Sequence, residues 1–127
     1  MKYLLDTHAA IWYFEDSQKL SKKIIELIDN PENSIFICAV SIWETAIKMN
    51  LGKLKMRFSL GELLAAVKAS DFDILQIEDT YLKLLFELPP IHKDPFDRLI
   101  VSSAIAEDLT IITADENIQK YNVQWIW

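Results

Sequence analysis

Asp6, Glu44, Asp97 and Asp115 lie far apart in the chain, yet each falls where an apolar run ends or a helix begins. In a chain that alternates strands with helices, those junctions share one edge of a parallel sheet, and ligands of open α/β sheets bind at that carboxyl edge. Four carboxylates gathered there form an oxygen-rich pocket suited to Mg²⁺ or Mn²⁺, and hard divalent cations suit phosphate chemistry. Each acid alone also has an ordinary explanation, because acidic side chains stabilise helix N-termini. Asp6 and Asp115 read as caps, Glu44 as the third residue of a capping box and Asp97 as a first-turn acid. Together they need more. Carboxylates roughly 6 Å apart repel by about 3 kcal/mol per pair at an effective dielectric near 20, and Ser, Thr or Asn would cap without that repulsion.

The elements that must position these acids can be read from apolar spacing and punctuation. Residues 2–6 predict a short buried strand and 7–15 an apolar, aromatic helix. Ile24, Ile25, Leu27 and Ile28 form a helical stripe within 21–30. Asn30-Pro31-Glu32-Asn33 is turn chemistry before a β-branched strand over 34–40. Ser41-Ile42-Trp43-Glu44 matches a capping box that opens a helix ending near Gly52. Ser59-Leu60-Gly61-Glu62 opens another that runs to about Ser70. A strand over 74–77 precedes a helix over 78–88 stopped by Pro89-Pro90. Asp94 as N-cap and Pro95 at the first helical position start a helix to about Asp108. A strand over 110–113, a short helix over 115–121 and a last strand or edge segment over 123–127 complete the order β-α-α-β-α-α-β-α-α-β-α-β. That order predicts an α/β fold: a central, mostly parallel sheet of about four to five short strands flanked by helices, as one domain over residues 1–127. Right-handed crossovers then put the strand-to-helix junctions on one side of the sheet.

The chain is long enough, at 127 residues, to bury a core. No apolar run approaches membrane-spanning length, and Tyr3-Leu4-Leu5 is cut off by Asp6 before a signal-peptide core can form. The single cysteine, Cys38, cannot form an internal disulfide, so the expected compartment is the cytoplasm. A net charge of −6 argues against broad electrostatic wrapping of nucleic acid. Asp6, Glu44, Asp94, Asp97 and Asp115 account for all but one unit of that charge, and a bound divalent cation would reverse the local sign.

The motifs that carry these acids resemble those of PIN-domain nucleases. Leu4-Leu5-Asp6-Thr7-His8 is similar to their first motif, and Ser41-Ile42-Trp43-Glu44-Thr45-Ala46-Ile47-Lys48 with Leu51-Gly52-Lys53-Leu54 to their second. His92-Lys93-Asp94-Pro95-Phe96-Asp97-Arg98-Leu99-Ile100 resembles the third, and Ile112-Thr113-Ala114-Asp115 the fourth. The resemblance covers essentially the whole chain, in order, and its style is that of VapC-type toxins of toxin–antitoxin pairs. It implies that Asp6, Glu44, Asp97 and Asp115 bind one or two Mg²⁺ (or Mn²⁺) ions and that Thr113 supplies a hydroxyl beside them. It also implies metal-dependent hydrolysis of RNA that leaves a 5′-phosphate and a 3′-hydroxyl. The implied partners are an RNA substrate, an antitoxin whose tail blocks the acidic site and a second copy in a homodimer. Asp94 is an extra acid read as an N-cap ahead of metal binding. Val101-Ser102-Ser103-Ala104 departs from the family's usual small apolar run and should affect helix packing more than chemistry.

Positive charge for a substrate is available at Lys48, Lys53, Lys55 and Arg57, a stretch without acids, and at Lys93. The same residues read equally as solvated lysines or as ion pairs that neutralise the cluster. Arg98, beside Asp97, could hold a carboxylate or reach a phosphate. His8 and His92 read as packing or loop residues rather than ligands, and Trp12, Trp43, Trp125 and Trp127 as core or interface. The competing functions are a metal-independent ribonuclease using His8 and His92, and a non-catalytic PIN-like module binding protein or RNA. An aspartyl-phosphate receiver or phosphatase ranks lower, because no companion acid stands beside Asp6.

Overall fold

The computed structural model describes all 127 residues, Met1–Trp127. The chain runs β1 (Lys2–Leu5), α1 (Thr7–Phe14), α2 (Lys22–Asp29), β2 (Ser34–Cys38), α3 (Ala39–Asn50), α4 (Leu60–Ala69) and β3 (Asp73–Leu75). It continues through α5 (Asp79–Glu87), α6 (Pro95–Glu107), β4 (Thr110–Ile112), α7 (Glu116–Gln119) and β5 (Trp125–Ile126). The five strands form one all-parallel sheet in the order β3-β2-β1-β4-β5. This is the expected α/β architecture.

Side chains alternate across the sheet with the period of two that a strand imposes. Tyr3, Leu5, Ile35, Ile37 and Ile112 join α1 and α2 in one core layer, where Ile24 is fully buried. Leu4, Cys38 and Ile111 face the other way, toward α6 and Tyr81 of α5. Both faces are covered, which is what an all-parallel sheet requires. The topology reverses at β1: the chain builds β2 and β3 on one side of it and β4 and β5 on the other. Leu5 pairs with both Ile37 and Ile112, so Asp6 emerges at the crevice between β1 and β4, where open sheets bind ligands.

Two local expectations are corrected. The strand expected over 34–40 ends at Cys38, and α3 starts at Ala39, so Ser41 lies inside the helix. The capping box expected at Ser41–Glu44 therefore does not form; the cap is Cys38, without a side-chain bond. The third strand is Asp73–Leu75 rather than 74–77. The Ser59–Glu62 box does form, with Ser59 Oγ accepting from the Glu62 N–H at 3.1 Å. So does the Asp94 cap, whose carboxylate accepts from the Asp97 N–H at 2.9 Å with Pro95 beginning α6. The polar pair Ser102 and Ser103 is fully buried, and both hydroxyls donate to the Leu99 carbonyl, so the helix itself satisfies them.

Candidate active site

Asp6 caps α1, its carboxylate accepting from the Ala9 N–H at 2.7 Å, and it is 3% exposed. Its other oxygen receives a short hydrogen bond from the hydroxyl of fully buried Thr113. The same Thr113 oxygen accepts from the Asp115 N–H at 2.9 Å, which joins the ends of β1 and β4. Asp115 caps α7 through the Asn117 N–H.

Glu44 stands on the second turn of α3 and is 2% exposed. It accepts from the Thr7 hydroxyl at 2.7 Å and from Lys48 Nζ at 2.7 Å. The Ser41 hydroxyl lies 3.0 Å from that of Thr7. Glu44 and Lys48 are one helical turn apart with the acid N-terminal, the favourable order for an i,i+4 pair. Asp97 reaches the same edge by another route. α6 runs down the sheet into β4, so its N-terminus, with Asp94 and Asp97, sits at the carboxyl end of the strands.

The electrostatics tie these groups together. Burial pushes the Asp6 carboxyl up to about 6, and nearby Asp115 and Glu44 add to the shift against the opposing Thr113 and Ala9 hydrogen bonds. Burial likewise pushes Asp97 up to about 6, aided by Asp94, Asp115 and Glu44 and opposed by a hydrogen bond from His92. Asp115 and Glu44 thus press on both Asp6 and Asp97, which shows the four acids in one field. Lys48 is raised, first by its bond to Glu44, and also feels Asp94 and Asp97.

No three acidic, histidine or cysteine side chains stand close enough together to grip a single ion. Glu44 is drawn to Lys48 and Thr7, and both oxygens of Asp6 are already bonded. The donor set nonetheless fits a hard divalent cation: its oxygens are carboxylate, and burial with mutual repulsion resists ionisation of two of them. An open cleft of about 200 Å³ beside Asp6 and Asp115 is lined also by His8, Trp12 and Ala114. The largest cleft, about 550 Å³, opens at the opposite, amino-terminal edge near Asp29, Asp71 and Asp73, away from all four acids. Volume is a poor guide here, and the position of the charged groups is the better one.

The basic residues divide. Lys48 is committed to Glu44, and Arg57 to Glu15, at 3.2 Å through its side chain with its own N–H donating as well. Lys53, Lys55 and Lys93 are exposed and make no ion pair. Arg98 does not pair with Asp97; it donates to the Pro89 and Leu88 carbonyls and to the Tyr121 hydroxyl. The sequence singles out neither Thr7 nor Tyr121, reads Ser41 only as a helix cap, and reads His92 as a packing or loop residue or, in the rival ribonuclease, as an acid–base group. Ser41 had a signal: three residues before Glu44, it shares that helical face. Tyr121 had none, since its place depends on the last turn of the chain. The tryptophans lie nearer the surface than a core reading implies, with Trp43 59% exposed against Phe96 and Trp12 packed on Trp127.

A profile of the family described as PIN domain matches residues 3–124. No curated protein matches the chain significantly. Among solved structures, the chain is similar to a chain of VapBC2 from Rickettsia felis bound to a promoter DNA fragment. Identity there is 21% and the TM-score 0.72, over 99% of this chain and 98% of that one. It is also similar to DNA-bound VapBC from Salmonella typhimurium (16% identity, TM-score 0.71, covering 99% and 97%). A third likeness is FitAcB from Neisseria gonorrhoeae (17%, 0.68, covering 98% and 96%). At such identities these likenesses establish the fold.

Proposed function

The chain belongs to the PIN-domain family, and from that premise we propose that it is a metal-dependent endoribonuclease, the toxin of a type II toxin–antitoxin pair. The observation that carries the reading is uncompensated charge. At the carboxyl edge Glu44 and Asp115 act on both Asp6 and Asp97, Asp94 acts on Asp97, and the lysine paired within the group is Lys48. Carboxylates in that state call for a divalent cation, Mg²⁺ or Mn²⁺, one ion or two. Asp6, Glu44, Asp97 and Asp115 would hold it.

When bound, such an ion supplies the charge that polarises a phosphoryl oxygen and makes water nucleophilic. The chain's own residues orient and balance that charge. Thr113 fixes the Asp6 carboxylate against β4 and presents Asp115 through its backbone N–H. Thr7 and Lys48 hold the Glu44 carboxylate in place in a buried position. Lys53, Lys55 and Lys93, free of internal partners, suit phosphates of an RNA strand, whereas Lys48 and Arg57 serve the fold. Hydrolysis leaves a 5′-phosphate and a 3′-hydroxyl.

The antitoxin reading draws on the solved likenesses, one of which, from Klebsiella pneumoniae, is a toxin–antitoxin complex by name. A cleft of about 200 Å³ between α1 and α2, lined by Trp12, Phe14, Leu20 and Ile25, suits an apolar segment of such a partner. A homodimer, a single nuclease domain over residues 1–127 and a cytoplasmic location complete the proposal; no helix is long and apolar enough to cross a membrane. The test is cleavage of total RNA by wild type and Asp97→Asn with Mg²⁺, Mn²⁺ or EDTA, with product ends mapped. Metal-dependent cleavage with 5′-phosphate ends, lost in the variant, is expected. Cleavage that survives EDTA and leaves 2′,3′-cyclic phosphate would overturn it in favour of histidine chemistry, and RNA binding without cleavage in favour of a non-catalytic module.

A further inference from the structure

His92 sits in a chain of hydrogen bonds whose direction is fixed at one end. Arg98 Nη1 lies 2.9 Å from the Tyr121 hydroxyl, and a guanidinium can only donate. The hydroxyl oxygen therefore accepts from Arg98. Its one proton goes to its other neighbour, His92 Nδ1, at 2.8 Å. A ring nitrogen that accepts is unprotonated, so the neutral imidazole carries its proton on Nε2. That nitrogen faces Asp97 Oδ2 at 3.2 Å and donates to it. The neighbourhood offers little slack. Tyr121 is 4% exposed, and the side chains of His92 and Asp97 are 12% and 15% exposed. Arg98 also grips the Leu88 and Pro89 carbonyls, pinning the segment that leads into His92.

We propose that His92 is a positioning residue for Asp97, locked as the Nε2–H tautomer by a one-way relay from Arg98 through Tyr121. The consequence for catalysis rests on Asp97 being a metal-binding carboxylate; the geometry of the relay does not. The relay occupies Oδ2 and leaves Oδ1 without a hydrogen-bond partner in the chain. Outer partners of this kind set ligand orientation, and losing one costs metal affinity roughly 10- to 100-fold.

The chain has two histidines, so a His8→Asn variant assigns the ring signals in ¹⁵N–¹H correlation spectra recorded at a pH of about 8, above the ordinary histidine range. The expected result is an Nε2–H tautomer for His92 in wild type and a loss of that preference in Tyr121→Phe. Mn²⁺ binding, measured by calorimetry, should weaken about 10-fold in Tyr121→Phe and His92→Phe. His92→Gln, which keeps an N–H donor toward Asp97, should recover most of it. An Nδ1–H tautomer in wild type would overturn the relay, and unchanged Mn²⁺ affinity in both Phe variants would overturn the positioning role. If wild type binds no Mn²⁺, the nuclease reading fails, and the tautomer measurement decides the relay by itself. Thermal unfolding of each variant separates a folding defect from a lost orientation.

Discussion

Asp6 and Glu44 are equally buried, at 3% and 2% exposed, and close enough to act on each other. They are stabilised in different ways. Glu44 has a cation at 2.7 Å, supplied by its own helix. Asp6 has only neutral donors, the Ala9 N–H and the Thr113 hydroxyl, and its carboxyl is pushed up to about 6. Burying a charge is tolerated where it is paired, and elsewhere the group resists ionisation instead. One acid is complete without a ligand, and the other is left asking for positive charge. That asymmetry is what the proposed cation site rests on: Glu44 is already paired, and Asp6 is not.

The largest test of the contrast is Lys48→Met. Removing the cation leaves Glu44 buried and unpaired, which should cost about 2 kcal/mol of metal-free stability after discounting the one-third exposure of the lysine. Urea unfolding in EDTA reads this directly, and a loss below about 0.5 kcal/mol would mean that Glu44 does not rely on the pair. Next comes Thr113→Val, nearly the same shape without the hydroxyl. It strips a donor from Asp6 and an acceptor from the Asp115 N–H, for an expected loss of about 1.5 kcal/mol and an Asp6 carboxyl pushed further up.

Asp6→Asn should have the opposite sign. It keeps the cap on α1 and removes a charge the fold resists, so metal-free stability at neutral pH should rise by about 1 kcal/mol while RNA cleavage is lost. Destabilisation similar to that of Lys48→Met would erase the proposed difference between the two acids. The last test is the pH dependence. Folded Asp6 and Asp97 hold their protons more tightly than the unfolded chain, whose carboxylates titrate near 3.8. Their stabilising contribution is thus fully present below about 4 and is lost as pH rises through about 6. The difference between wild type and Asp6→Asn, followed by urea unfolding across that window, isolates the share of Asp6, and saturating Mn²⁺ should cancel it.

Much of the architecture was readable from local pattern. Alternation in Tyr3-Leu4-Leu5, the turn at Asn30–Asn33, the Ser59–Glu62 box and Asp94-Pro95 act over a few residues, and they form as read. Ser41–Glu44 had the same spelling as Ser59–Glu62 but a different outcome. β2 ends two residues earlier, so α3 is already under way at Ser41, and its polar atoms turn to Thr7 of another helix. Spelling alone cannot separate a cap from a helical face whose polar groups have a partner across an interface.

The site divides along the same line. The Glu44–Lys48 pair was open to reading because it spans one turn of one helix, and α-helical geometry fixes that distance wherever the helix packs. That four acids share a sheet edge followed from strand order and the handedness of crossovers. The contact of Asp6 with Thr113 crosses 107 positions, and that of His92 with Tyr121 crosses 29. Arg98 shows the limit most plainly. Its sequence neighbour is Asp97, but its partners are the Leu88 and Pro89 carbonyls and Tyr121. Successive residues of a helix point about 100° apart, so adjacency in sequence separates side chains that only packing can reunite with others.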